Sequence, residues 1–149
     1  MALYLVRHGE YVPERINPDC PLSDRGLVEV ARMAALASDK EIELTKIFHS
    51  GKKRALQTAI ILKEYLKPLF GLDQTRGLNP NDDIFYIFGL IEKAKNIMIV
   101  GHLPFLEKLA SYLVTGDEEE SAVQFPTAGI VCLVKDTKEK WEIKWTLMP

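Results

Sequence analysis

The sequence predicts one α/β domain over residues 1–149, a three-layer α/β/α sandwich with a mostly parallel central sheet and an antiparallel C-terminal hairpin. Three observations predict it. Short, continuously apolar runs alternate with helical patterns as far as Val114, as strands buried between helices do. The last third then changes to a period of two. Finally, 149 residues with 47% hydrophobic and 27% charged side chains fit a single domain with its own buried core.

Ala2-Leu3-Tyr4-Leu5-Val6 reads as a strand buried on both faces. A loop with Pro13, Pro18 and Pro21 follows, and Ser23 caps a helix over 24–37 with Leu27, Val30, Ala31, Ala34 and Ala35 inward. Residues 45–48 form the second strand, and the helix over 52–66 buries Leu56, Ala59, Ile60 and Tyr65 before Pro68 stops it. Residues 71–81, with Gly71, Gly77 and Pro80, read as irregular. Asp82 and Asp83 open a third helix to about Glu92, because acids suit a helix N-terminus. Residues 96–100 are a third buried strand, and Pro104 sits in the first turn of a helix reaching Val114. The acidic stretch 117–120 reads as a solvated loop. Strands over 129–134 and 140–147 close the chain, the second placing Trp141, Ile143, Trp145 and Leu147 on one face. There is no repeat and no linker.

A net charge of −2 gives no general attraction to nucleic acid or to an anionic membrane, so neither is an expected partner. Two cysteines, Cys20 and Cys132, are too few for a disulfide framework or a four-cysteine zinc site, and no bridge between them is expected. Cys132, in an apolar run, reads as a buried hydrophobe. The apolar run before Arg7 is too short for a secretory h-region, and no stretch approaches the ~20 residues that span a bilayer. The expectation is a cytoplasmic protein.

The chemistry gathers at strand ends. All three histidines, His8, His49 and His102, directly follow apolar runs. Right-handed βαβ units make those strands parallel, so their C-terminal ends share the edge where open α/β sheets place ligands. Arg7 precedes His8, and Lys52-Lys53-Arg54 opens the following helix, where cations oppose the dipole unless an anion binds. Free N–H groups beside Ser50 and Gly51 suit phosphate, and a guanidinium fork matches its oxygens. Two readings of the histidines compete. Three imidazoles would suit a catalytic zinc ion, but two neighbouring arginines repel a dication. Alternatively, His8 is a neutral nucleophile whose pKa the arginines lower.

Arg7-His8-Gly9, the stretch Ser-Gly-Lys-Lys-Arg-Ala-Leu-Gln-Thr over 50–58, and Gly101-His102 resemble the three signatures of the histidine phosphatase superfamily, which includes the cofactor-dependent phosphoglycerate mutases. Pro-Leu-Ser-Asp-Arg-Gly over 21–26, the His102-Leu103-Pro104 turn and the compact hairpin are most similar to SixA-type phosphohistidine phosphatases. The resemblance covers residues 3 to about 148 and implies a phosphoglycerate mutase-like fold. It implies that His8 accepts the phosphoryl group, that Arg7 and Arg54 bind its oxygens, and that His102 hydrogen-bonds it, with no cofactor and no metal. Ser50 is a further phosphate-binding candidate, although helix capping alone would explain it.

The chain departs from the family at the acid. Many members use a Glu or Asp between the second and third signatures, where this sequence reads Arg-Gly-Leu-Asn-Pro-Asn-Asp-Asp over 76–83. Asp82 and Asp83 read first as helix caps, and Glu10 as a loop carboxylate; these three are the candidate acids. A missing acid matters less for phosphohistidine, because imidazole leaves readily. The expected activity is a metal-independent phosphatase acting on phosphohistidine in a signalling protein. Alternatives are a small-molecule phosphomonoesterase and, from another class, a non-catalytic binder of phosphorylated proteins. His49 and Gln57 and Thr58 read as structural, as do Trp141 and Trp145.

Overall fold

The computed structural model describes residues 1–149. A six-stranded sheet runs β3-β2-β4-β1-β5-β6, with β1 (Ala2–Arg7), β2 (Lys46–His49), β3 (Leu72–Gln74), β4 (Ile97–Gly101), β5 (Ile130–Lys135) and β6 (Trp141–Leu147). The first four strands are mutually parallel, and β5 pairs antiparallel with both β1 and β6. Helices α1 (Asp24–Ser38) and α2 (Lys53–Leu66) cover one face. A 3-10 turn (Ile84–Ile87), α3 (Phe88–Lys93) and α4 (Phe105–Thr115) cover the other. No helix is long and apolar enough to cross a membrane.

Strand alternation splits the core between these faces. In β1 and β4, Tyr4, Val6, Met98 and Val100 meet Val30, Met33 and Ala34 of α1 and Ala55, Ala59 and Leu62 of α2. Leu3, Leu5, Ile97 and Ile99 meet Ile84, Ile87, Ile91, Leu106 and Leu109 on the opposite side. Strands clothed on both faces need no polar side, which is why these runs are continuously apolar. Ser23 caps α1 as expected, its hydroxyl accepting from the Gly26 N–H at 3.0 Å. Gly26 carries no side chain for a reason, since a Cβ there would overlap the Glu10 carbonyl oxygen. That close approach seats the loop after β1 on the start of α1.

The structure corrects the sequence expectations in four places. Residues 72–74, read as irregular, form the edge strand β3, whose parallel pairing with β2 supplies the stabilisation that local propensity lacks. The third helix is not continuous: Asp83 caps a 3-10 turn, accepting from Phe85 N–H at 2.9 Å, and α3 begins only at Phe88. The buried stripes of α1 and α2 are rotated from those expected. Leu27, Ile60 and Tyr65 are exposed, while Gly26, Met33 and Ala37, and Ala55, Thr58 and Leu62, face inward. Small residues line these stripes because the two helices pack on each other as well as on the sheet.

The fourth correction lies in β6. Its side chains alternate half-buried and exposed, but Trp141 and Ile143 pack on one face of the sheet and Trp145 and Leu147 on the other. A register shift opposite Cys132 and Leu133, which pair with Trp145 and Ile143, inserts one extra residue. Crossing such a bulge turns the side chains over. Cys132 is buried as expected, and both cysteines are free thiols.

Candidate active site

The parallel strands β1, β2 and β4 deliver His8, Ser50 and His102 to one edge, as the topology rule requires. His8 is 4% exposed and His102 1%, with ring centroids 5.0 Å apart. The His8 backbone N–H donates to the Gly101 carbonyl at 3.1 Å, extending the β1–β4 ladder into the site.

The His8 ring has one tautomer available to it. Nδ1 lies 2.8 Å from the Gly9 carbonyl oxygen, which can only accept, so Nδ1 carries the proton and Nε2 keeps its lone pair. Burial first, then Arg54 and Arg7, push its pKa down to about 4 against the opposing pull of the Gly9 bond. His8 is therefore neutral near pH 7. Gly9 is itself anchored: its N–H donates to Thr58 Oγ1 at 3.0 Å, and that hydroxyl donates to the Arg54 carbonyl at 2.8 Å. Thr58 thus fastens the His8 loop to α2. Gln57 adds a second fastening, its Oε1 accepting from Leu22 N–H at 2.7 Å.

The cations stand without carboxylate partners. The ion pairs in the molecule are Arg25–Glu10, Lys46–Asp73 and Lys135–Glu139, none of which includes Arg7 or Arg54. Arg7 Nη1 donates to the Phe125 carbonyl at 3.0 Å, and Phe125 N–H is in turn held by Glu107 Oε2 at 2.9 Å. The Nε atoms of Arg7 and Arg54 are buried with no hydrogen-bond partner. Unpaired donors of this kind suit an oxyanion. Lys52 and Lys53 are exposed, and Arg54 is only partly so.

His102 Nε2 and Ser50 Oγ share a 2.6 Å hydrogen bond, and Ser50 Oγ also accepts from Lys52 N–H at 3.3 Å. The other ring nitrogen, Nδ1, is buried and unpartnered. Burial, helped by His8 and the nearby cations, pushes the His102 pKa down to about 3. His49 does not join the other two imidazoles. Its Nδ1 accepts from Gly51 N–H at 3.1 Å, which shapes the turn carrying Ser50. No group of three or more His, Cys, Asp or Glu side chains is close enough together to ligate a metal.

The three candidate acids are differently placed. Glu10 lies 3.6 Å from Arg25 at the surface. Asp82 accepts from Asn79 N–H at 2.9 Å, and Asp83 caps the 3-10 turn. Both aspartates line a cleft of about 480 Å³ that also contains Ser50, Gln74, Arg76 and Tyr86, so this cleft adjoins the His102 side of the site. Two participants escaped the sequence reading. Tyr11 packs against both His8 and Arg54, and its only advance signal was an aromatic three residues beyond the histidine. The Phe125 carbonyl is a backbone group, which no residue type announces.

The model of the histidine phosphatase superfamily (branch 1) matches residues 3–79. No curated protein matches the chain. Among solved structures, the fold is similar to the protein histidine phosphatase SixA complexed with tungstate, with TM-score 0.87 and 22% identity over 100% of this chain and 97% of that one. It is also similar to a mycobacterial glucosyl-3-phosphoglycerate phosphatase complexed with VO3 (TM-score 0.75, 14% identity, 99% of each chain). A third is the phosphoserine phosphatase of Entamoeba histolytica in complex with 3-phosphoglyceric acid (TM-score 0.72, 15% identity, 99% and 97%). With more than half of its length matched, including Arg7-His8-Gly9 and Arg54, the chain belongs to the histidine phosphatase superfamily.

Proposed function

We propose that this protein is a phosphatase that forms a phospho-His8 intermediate and acts on phosphohistidine carried by another protein. The observation that carries the reading is the His8 ring: Nδ1 is committed to the Gly9 carbonyl, leaving a bare Nε2 on a ring neighboured by Arg7 and Arg54, neither of which has an ion-pair partner. Neutral Nε2 attacks phosphorus, the bond to the substrate's imidazole nitrogen breaks, and that ring, protonated on its other nitrogen, takes the electron pair and leaves as neutral imidazole. Arg7 and Arg54 hold the equatorial oxygens, and His102 and Ser50 contribute hydrogen bonds on the other side. Water then attacks the phosphorus, the Nε2–P bond breaks, and neutral His8 and inorganic phosphate remain. No cofactor or metal takes part in this route.

Imidazole is a good leaving group, which suits a site whose Glu10 is engaged with Arg25 and whose Asp82 and Asp83 cap backbone. A phosphohistidine-bearing signalling or phosphotransfer protein is the partner we propose. The free thiols of Cys20 and Cys132 suit a cytoplasmic setting. The second reading, a small phosphomonoester, is favoured by the cleft in which Asp82 and Asp83 stand near Ser50, since one of them could protonate an alcohol there.

The test compares phosphate release from a phosphohistidine protein and from p-nitrophenyl phosphate at matched concentration, with wild type and His8→Ala. The expected result is preference for the protein and loss of turnover on both substrates in the variant. Preference for the ester shifts the assignment to the second reading. Undiminished turnover in His8→Ala overturns the covalent route.

A further inference from the structure

Tyr11 belongs to none of the three signatures, yet it touches both working groups. Its ring stands edge-on to the His8 imidazole, with centroids 5.3 Å apart. The guanidinium carbon of Arg54 lies 4.7 Å from the centroid of the same ring. The loop that carries Tyr11 is pinned by a bridge to Leu22 and by the Val12 N–H donating to the Pro21 carbonyl at 2.8 Å. Tyr11 remains 38% exposed, forming the outer wall of the site rather than part of the core.

An arginine that binds phosphate faces a conflict. It must be held in place, but a carboxylate that held it would occupy its donors and cancel its charge. Arg54 has no carboxylate partner. An aromatic ring attracts the cation through its quadrupole and leaves the in-plane N–H groups free. The same ring, packed on His8, keeps water from that side of the imidazole. The first job needs a ring face, the second only apolar bulk, and neither needs the hydroxyl.

We propose that Tyr11 is a positioning residue of the phosphate site, its ring holding Arg54 in place and shielding His8 from solvent. The proposal rests on the reading that phosphate binds between His8 and Arg54. The groups facing His8 are Arg7 from β1, Arg54 from α2 and His102 after β4, besides Tyr11 itself, and none but Tyr11 is substituted in the variants below.

The test uses the full chain as wild type, Tyr11→Phe, Tyr11→Leu and Tyr11→Ala. Two quantities are read: affinity for inorganic phosphate by calorimetry, and the pH titration of His8 by NMR of its ring nitrogens. Phe should match wild type in both. Leu keeps apolar bulk over His8 but offers no ring face, so phosphate affinity should fall by roughly tenfold while the His8 titration moves less than in Ala. Ala should lose the affinity and also let the His8 pKa rise from about 4 toward its ordinary value, because burial is the largest cause of the depression. If Ala does not fold, the contrast between Phe and Leu decides.

Unchanged phosphate affinity in Leu overturns the proposal. So does a Phe variant as impaired as Leu, which would assign the role to the hydroxyl. A wild-type chain whose His8 resonances ignore phosphate overturns the phosphate-site reading itself, and this proposal with it.

Discussion

Two environments act on His8, and they act on different atoms. The Gly9 carbonyl selects the tautomer by taking the Nδ1 proton, while burial and the arginines disfavour adding a second proton at Nε2. The result is an imidazole that stays neutral well into acid. An unperturbed histidine would be half protonated near pH 6.5. The acid limb of kcat/KM should therefore lie near pH 4 rather than near 6.5, with activity lost as pH falls through that lower value. A pH–rate profile on a substrate that does not itself titrate there checks this; an acid limb at 6 to 6.5 would show that His8 is not held as described. Tyr11 belongs to the same scale, since its ring faces both that imidazole and Arg54.

At the scale of elements, the site depends on how β1 and α2 are fastened together. Thr58, fully buried, gives the Gly9 N–H its acceptor and returns its own proton to the Arg54 carbonyl. One hydroxyl thus couples the His8 loop to the first turn of α2, which presents Arg54. Thr58→Val keeps shape and bulk but leaves that N–H unpaired. It should lower stability by about 1–3 kcal/mol and reduce kcat more than KM, as read from urea midpoints and steady-state kinetics. A variant as stable and as active as wild type would mean that the hydrogen bond contributes nothing. The lysines at the start of α2 lack any acidic residue in the first turn, so that end of the helix remains available to an anion.

For the whole molecule, the buried histidines link stability to pH. The unfolded chain takes up protons at His8 and His102 as pH falls below about 6.5. The folded chain does so only near 4 and 3. Their contribution is therefore complete above about pH 6.5 and is lost as pH falls toward the folded values, because the unfolded state binds more protons in that window. The unfolding free energy from urea titrations should drop between pH 7 and pH 4.5, by an amount on the order of a few kcal/mol. His102→Asn should flatten part of that dependence. An unchanged slope in the variant would show that His102 is not the titrating group.

What the sequence determined by itself is what short strings can carry. Apolar runs identify β1 and β4, and the shorter Ile47-Phe48 identifies β2, so a histidine placed just after each must emerge at the sheet edge. The three signatures added Arg7, Arg54 and Ser50, each adjacent in sequence to a strand end or a helix start. Tertiary structure decided the rest, because the forces involved act between distant segments or through the backbone. The edge strand β3 exists through its ladder with β2, and the bulge in β6 sends Trp141 and Trp145 to opposite faces despite a regular period of two. Arg7 is oriented by a carbonyl 118 residues away, which carries no sequence code. Tyr11 became part of the site only when folding laid its ring between His8 and Arg54, a contact set by loop geometry rather than by residue type.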